Sequence, residues 1–555
     1  IAPDGLDRYV PVQPAKKILN LAGVLRDGSA GLPSGEVAKR GIQVVQWEKD
    51  QAEDMGLIKM DILGNRSLAV IRDALAAIKK NYGIELDYAQ WNPLEDPETI
   101  DLIARGDTIG VFYVESPAMR LLQKKTGMGD FEHLVIHSSI IRPAANTYIN
   151  EYIRRLKGGS YEPLHPRLEE LLRETYGIMV YQEDVSKVVM ALADFNAAEA
   201  DTLRKIISKK HKEKQLNDYR HKFFENARKN AISEETCDKI WDMIMSFSGY
   251  SFCKPHSASY AQVSFKSAYL RIHYPAEFMA TVISNQGGYY STFAYISEAR
   301  RMGLQVLMPD INKSEKQYYG INRQLRVGLM QLKGFSGNAL KAVLEERKQR
   351  GPFKSFDDFL SRVKIDPSDV TILVKAGCFD ALEPKKSRPE LMWRMHWHMA
   401  ERRQKPADAN LPLFEQKPPS VNALPRPRNY DQRTVLQHEV ESIGFLLSKH
   451  PLELYRDRIR KIDYVKGVDL PKHVGKKVRT IGWWITGKLV STKKEELMEF
   501  MSFEDTTAIY ETIFFPKAYG EFIHIISNTK PFVLEGKVEM QFGAVTLNVE
   551  KVSLL

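Results

Sequence analysis

Cysteine is nearly absent from this sequence: Cys237, Cys253 and Cys378 are the three in 555 residues. They stand too far apart for a paired-thiolate zinc knuckle, and an odd, sparse set builds no disulfide framework. The expectation is a reduced, cytoplasmic compartment without structural zinc. Long apolar runs are missing too. Stretches such as Gly177 to Val180 and Gly482 to Ile485 have strand or core length, far short of the about 20 residues that cross a bilayer, so no membrane contact is expected. Neither sign of charge dominates. The 80 Lys and Arg against 70 Asp and Glu leave a net charge of +10, which permits a polyanionic partner without requiring one. No repeat of about 20 to 50 residues is visible, which sets aside solenoids. The chain opens on Ile1 with no signal-peptide pattern, and this predicts a start inside a longer protein.

The length is too great for a single core, so several domains are expected. Residues 1 to about 60 are rich in Gly and Pro and read as loops and short strands. The stretch Gly56 to Gly64 then reads as a strand carrying Lys59 and Asp61, and Leu68 to Ile78 follow at helical spacing. From about 95 to 285 helical signals dominate, with a capping box at Asn196 and Glu199. Between Arg204 and Lys229 there are ten Lys or Arg against three acidic residues. Residues 385–432 are rich in Pro, Gln and Asn and read as a surface linker. After Arg456 the pattern turns to strands, enough for a small closed barrel.

Several constellations could carry chemistry. A carboxylate near the end of an apolar strand, as at Asp61, suits Mg²⁺, because a two-metal polymerase clamps its ions between rigidly held carboxylates and nucleotide phosphates. On spacing alone an Asp on the solvent face of an edge strand is the commoner case, and Lys59 beside it fits a surface ion pair equally well. Arg204 and Lys205 adjoin the apolar stripe of Leu203, Ile206 and Ile207, so an anchored helix would aim them at phosphate; a solvated basic face is the plainer alternative. His137-Ser138-Ser139-Ile140-Ile141-Arg142-Pro143 sets polar groups and a cation after an apolar, strand-like stretch. Gly249 to Tyr260 crowds Lys254, His256, hydroxyls and aromatics into twelve residues that lead into a helix. Such a mixture suits base stacking and phosphate contact, or a hydroxyl-rich helix cap.

Lys333-Gly334-Phe335-Ser336-Gly337 ahead of a helix, with Leu373 to Gly377 later, fits a helix-hairpin-helix whose exposed backbone N–H groups meet DNA phosphate. Two ordinary glycine-broken turns would look the same. The aromatics Trp483, Trp484, Phe500, Phe503, Phe514 and Phe515 fit either base stacking on an oligonucleotide-binding barrel or its core. Leu411, Leu413 and Phe414 form an apolar anchor in a polar linker, as expected of a docking peptide.

In order along the chain, these stretches resemble the bacterial DNA polymerase III alpha subunit family (family C). The resemblance rests on Gly56 to Gly64, Gly106 to Phe112 through Glu115-Ser116, Ile141-Arg142-Pro143, Glu174 to Gly177 with Tyr181-Gln182-Glu183, Ala200 to Lys205, Gly249 to Tyr260, His273 to Phe278 and Pro309 to Asn312. It implies a multidomain α+β fold. The end of a nucleotidyltransferase-like palm would occupy 1–95 and a largely helical thumb and fingers region 96–310. A helix-hairpin-helix region at 311–384, a linker with a clamp-binding peptide at 385–432, a connecting segment at 433–477 and an OB-type β-barrel at 478–555 would follow.

The same resemblance implies template-directed addition of dNTPs to a primer 3′ end with Mg²⁺. Asp61 would be the third metal-binding aspartate and Lys59 its neighbouring catalytic lysine. Arg204, Lys205, Lys254, His256 and Arg142 would meet the nucleotide. Lys333, Gly334 and Gly337 would meet DNA, and Leu411, Leu413 and Phe414 a sliding clamp. Replication or mutagenesis accessory proteins are further expected partners. The family's Pro-Asp-x-Asp-x-Asp-Phe element and its N-terminal phosphoesterase-like domain are not in the sequence, so Ile1 would mark a truncation within the palm and the chain alone would be inactive. Lys205 in place of a second arginine, Asn65, Tyr113 and Asn410 also depart from the family pattern. They point toward a divergent, error-prone form with roles in repair and translesion synthesis. The alternative is a non-catalytic, clamp-tethered DNA-binding scaffold with a degenerate palm.

Overall fold

The computed structural model describes residues 8–14, 43–58, 65–142, 146–207, 213–247, 252–286, 288–404, 427–492, 494–526 and 530–555. The chain divides into two units, Ile1–Asn65 and Arg66–Leu555. In the first, β1 (Val12–Pro14) pairs antiparallel with β2 (Gln43–Val45), and a short helix, Lys49–Asp54, follows. Val10 and Leu57 are its buried apolar residues among those described. The segment holding Lys59 and Asp61 lies outside the described residues.

The second unit is mostly helical. Helix Arg66–Tyr82 buries Val70, Ile71, Ala74 and Ile78, a stripe at helical spacing that packs on helix Pro275–Asn285. Side-chain caps set many helix starts: Asp96, Ser116 and Asp130 each accept the backbone N–H three residues on. The capping box at 196 is present, with Glu199 N–H donating to Asn196 Oδ1 (2.9 Å) and Asn196 N–H to Glu199 Oε2 (3.2 Å). Helices Gln182–Ala193, Ala197–Ile207, Glu213–Lys229 and Glu234–Met245 close over one core that includes Leu192, Leu203, Phe223 and Ile240. The long helix Lys254–His273 runs through a second core with Phe131–Ile140 and Pro97–Ala104.

Two expectations are corrected here. The stretch before Arg142 is a helix, Phe131–Ile140, and not strand-like: Leu134 to Ile140 are buried without interruption, so its apolar run reflects burial on all sides. The proposed linker 385–432 opens with helix Arg388–Gln404, which buries Leu391 and Met395. Its clamp-peptide candidates Leu411, Leu413 and Phe414 lie outside the described residues.

A small sheet follows, with β3 (Gln305–Leu307) parallel to β5 (Gln324–Arg326) and β4 (Tyr319–Ile321) antiparallel to it. Helices Gly337–Arg350, Phe356–Arg362 and Pro367–Lys375 come next. The C-terminal part is a closed five-stranded barrel in the order β10-β8-β7-β6-β9. Its strands are β6 (Lys477–Ser491), β7 (Leu497–Glu504), β8 (Ile509–Phe514), β9 (Phe532–Gln541) and β10 (Ala544–Leu554), with helix Pro516–Ile526 between β8 and β9. β10 closes the ring by running parallel to β8, which leaves no open edge. Phe503, Phe514 and Phe532 fill its core, whereas Trp484, Phe500 and Phe515 are exposed.

A buried charge cluster ties this barrel to the helices. Glu504 is fully buried and accepts from Arg301 Nη1 (2.8 Å), Ser297 Oγ (3.0 Å) and His450 Nε2 (3.1 Å). Glu298 pairs with Arg301 and Arg271; burial alone would raise its carboxyl, but the two guanidiniums outweigh it and hold it at about 2. Among the described residues no helix is long and apolar enough to cross a membrane.

Candidate functional site

Two helix N-termini meet where the motifs at 174–183 and 249–260 come together. The Gln182 N–H donates to the Phe252 carbonyl (3.1 Å), which draws the start of helix Gln182–Ala193 to the start of helix Lys254–His273. Unsatisfied N–H groups and the helix dipole make such ends favourable to anions. Lys254 is the first residue of its helix. Its backbone N–H donates to Glu183 Oε2 (3.3 Å) and its Nζ to Glu174 Oε2 (2.6 Å). The ammonium also lies 5.5 Å from the centre of the Tyr181 ring, whose hydroxyl donates to Glu174 Oε1 at 3.4 Å. His256 is exposed and stacks on Tyr260, with ring planes 6° apart and centroids at 6.4 Å.

Arg204, in the last turn of helix Ala197–Ile207, reaches the same place through Gln182. Its Nη1 donates to Gln182 Oε1 (2.8 Å), while Nε (3.0 Å) and Nη2 (2.7 Å) donate to Asp201 Oδ1. Leu203, Ile206 and Ile207 are buried beneath it, as the apolar stripe required. Lys205 is more exposed, and its Nζ pairs with Asp201 Oδ2 at 2.7 Å. A chain of bonds thus runs from Arg204 through Gln182 to the Lys254 helix.

Arg142 sits below this surface and is 4% exposed. Its Nη2 donates to the Met179 carbonyl (3.1 Å), and its guanidinium lies 3.6 Å from the centre of the Phe247 ring. Nε and Nη1 are buried without a hydrogen-bond partner. Burial pulls its pKa down to about 10 against the opposing field of Asp184, so it stays charged at neutral pH. The Asp184 carboxylate accepts the N–H groups of Val180 and Tyr181, both at 2.8 Å. Arg142 and Asp184 therefore grip the segment 179–181 that presents Gln182 and Glu183.

The hairpin at 333–337 forms a second locus. Gly334 has φ +75°, a left-handed conformation that an L side chain rarely adopts, and Gly337 faces open space. Ser336 caps helix Gly337–Arg350 through Ala339 N–H (3.1 Å). Its own N–H and Oγ both donate to the buried Asp369, at 2.8 Å each, which locks the hairpin onto helix Pro367–Lys375. The Lys333 N–H donates to Ser442 O (2.7 Å), while its residue is exposed.

The metal and catalytic candidates Asp61 and Lys59 lie outside the described residues. Among the described residues no group of three or more His, Cys, Asp or Glu could hold a metal ion. Sequence reasoning gave no role to Gln182, Glu174, Glu183, Asp201 or Asp369. The first four stand inside motifs already singled out, so a search for anion-competing carboxylates near the basic residues could have found Glu174, Glu183 and Asp201.

Residues 67–231 match the family model described as the bacterial DNA polymerase III alpha subunit finger domain, and residues 303–389 match a helix-hairpin-helix motif. The chain is 32% identical to the DNA polymerase III subunit alpha of Thermus aquaticus, over 97% of the chain and 44% of that relative. It is 34% identical to that of Aquifex aeolicus, over 90% of the chain and 42% of the relative. For Staphylococcus epidermidis the figures are 29%, 97% and 49%. The chain spans less than half the length of these curated relatives.

Proposed function

The chain belongs to the bacterial DNA polymerase III alpha subunit family, and from that premise we propose that its whole protein adds dNTPs to a primer 3′ end under the direction of a template. The 3′-oxygen attacks the α-phosphorus in line and pyrophosphate leaves. What supports a nucleotide site in this chain is one observation: the two helix N-termini that bring Lys254 and, through Gln182, Arg204 to one surface. Arg204 offers a planar fork to phosphate oxygens, and Lys205 a point charge beside it. Lys254 adds its ammonium at a helix end, and His256 with Tyr260 offers a stacking face for a base. Arg142 belongs to this site in the same reading, from beneath the 179–181 segment. In the same reading Asp61, with Lys59 beside it, is one of three metal-binding aspartates, and the family's Pro-Asp-x-Asp-x-Asp-Phe element would supply the other two. Mg²⁺ held there would activate the 3′-hydroxyl and neutralise the leaving pyrophosphate.

Lys333, Gly334 and Gly337 and the exposed aromatics of the barrel are the DNA contacts in this reading, and Leu411, Leu413 and Phe414 the sliding-clamp peptide. Partial palm at 1–95, thumb and fingers at 96–310, the helix-hairpin-helix region at 311–384, the connecting segment at 433–477 and the barrel at 478–555 go with it. So do a cytoplasmic location, accessory partners and an error-prone, lesion-bypass role. The test is equilibrium binding of dATP to the 555-residue chain. Arg204→Ala and Lys254→Met should each weaken it by about ten- to a hundredfold, the effect of losing one charge-assisted contact of about 1.5–3 kcal/mol. Asp61→Asn in the full-length protein should abolish primer extension and spare primer-template binding. Nucleotide affinity indifferent to both cation substitutions would refute the site and favour the scaffold.

A further inference from the structure

The cations of the nucleotide site are already neutralised by carboxylates of the chain. Lys254 Nζ is held by Glu174, which lies eighty residues away in sequence, at 2.6 Å. Arg204 and Lys205 share Asp201, three and four residues before them on the same helix. The second pairing is local and common on helices. The first requires the fold. Glu174 stands in the short turn Arg173–Thr175, and the left-handed residues Tyr176 (φ 55°) and Gly177 (φ 78°) reverse the chain after it. That reversal returns the backbone to Tyr181, whose hydroxyl donates to the other Glu174 oxygen at 3.4 Å. Glu183 meanwhile takes the first N–H of the Lys254 helix. Two carboxylates thus stand where a helix N-terminus and its lysine would hold phosphate oxygens.

We propose that Glu174 is a specificity-determining residue: its carboxylate occupies Lys254 until an oligophosphate long enough to reach that ammonium displaces it. The inference rests on the nucleotide reading of the site. The pair is about half exposed on both sides, 48% and 47%, so solvent screens it and the exchange is cheap. Displacement nonetheless falls only on ligands that recruit Lys254. A nucleoside monophosphate bound through Arg204 leaves the pair intact, whereas a triphosphate must break it. Glu174 also repels the additional phosphates until they have replaced it. The carboxylate holds Lys254 at the helix end, so that it is already positioned when the ligand arrives.

The experiment measures binding of dATP and dAMP to the 555-residue chain by equilibrium dialysis at low salt, for wild type, Glu174→Gln, Lys254→Met and the double variant. Glu174→Gln should tighten dATP by about fivefold, the upper range for an exposed ion pair, and leave dAMP unchanged. In the Lys254→Met background the same substitution should have no effect, because the competing partner is gone. The gain should fade as salt is added. Glu174→Ala gives an independent variant with the same expectation. Equal tightening of dAMP and dATP, or tightening that persists without Lys254, overturns the proposal as a general charge effect. If Lys254→Met weakens dATP but neither Glu174 variant tightens it, the nucleotide reading stands and the gating role falls. If wild type binds dATP and Lys254→Met does not weaken it, the placement of the nucleotide on Lys254 has failed.

Discussion

Replacing Glu504 by Ala should release the barrel from the helical body. The residue is fully buried on β7 and is the common acceptor for Arg301, Ser297 and His450. Removing its carboxylate leaves Arg301 with Glu298 alone, although one guanidinium nitrogen, Nη2, is already buried without a partner. Ser297 and His450 lose an acceptor at the same time. Breaking one side of a buried pair costs about 3–5 kcal/mol, because the other charge stays desolvated. At about 1.4 kcal/mol per decade, the open population should rise by about two to almost four orders of magnitude. Glu504→Gln keeps an oxygen for Ser297 and His450 but turns an amide N–H₂ toward Arg301, so it should lie between wild type and Ala. Limited proteolysis of the segment 456–476, followed as a rate under conditions where opening is fast, reads this population directly. Calorimetry should show the barrel melting apart from the body in the Ala variant. If Glu504→Ala is cleaved at the wild-type rate, the cluster does not hold the barrel.

Burial depresses the folded-state pKa of His137 to about 3, below its ordinary value near 6.5. The unfolded chain therefore takes a proton first, and stability is complete above pH about 6.5 and is lost as pH falls toward 3. Between pH 6.5 and 4.5 the loss should reach about 2–3 kcal/mol in urea titrations. His165 and His438, also lowered by burial, act with the same sign. His137→Gln should remove most of the slope, and an unchanged slope would refute the assignment. For the hairpin, Gly334→Val places a β-branched side chain at φ +75° and should weaken primer-template binding several-fold while leaving its salt dependence steep. Fluorescence anisotropy at a series of salt concentrations measures both, and affinity equal to wild type would show that the hairpin does not meet DNA.

Local pattern carried the reading of the barrel. β8 runs Ile509–Phe514 with alternate residues Tyr510, Thr512 and Phe514 buried, the period that a sheet with one face on the core imposes. The strand-like reading of Leu134 to Ile136 failed for the opposite reason. A helix buried all round has no polar face to mark its period, so a short apolar run is silent between strand and helix. Helix Arg388–Gln404 was hidden by composition. Its surroundings are rich in Pro and Gln, and its anchors Leu391 and Met395 are too few to stand out before the packing partners are known.

The cations of the candidate site show where a sequence stops being informative. Arg204, Lys205, Lys254 and Arg142 look alike as basic residues in motifs, yet the fold gives them different environments. Arg204 and Lys205 take a carboxylate three or four positions away, a partner the helix period predicts once the helix is known. Lys254 takes one eighty positions away, a pairing that exists only after the turn at Tyr176 and Gly177 has folded. Arg142 is under Phe247 with two nitrogens unsatisfied, and nothing in Ile141-Arg142-Pro143 distinguishes it from an arginine at the surface. An exposed pair contributes at most about 1 kcal/mol and exchanges freely with a ligand. A buried guanidinium left half-paired is far more costly, so the fold must gain from holding it there. That gain lies in segment 179–181, whose carbonyl at Met179 and amides at Val180 and Tyr181 are fixed by Arg142 and Asp184. Rigidity at that segment is what sets Gln182 against Arg204, and so the electrostatics of the site depend on a buried charge that never reaches its surface.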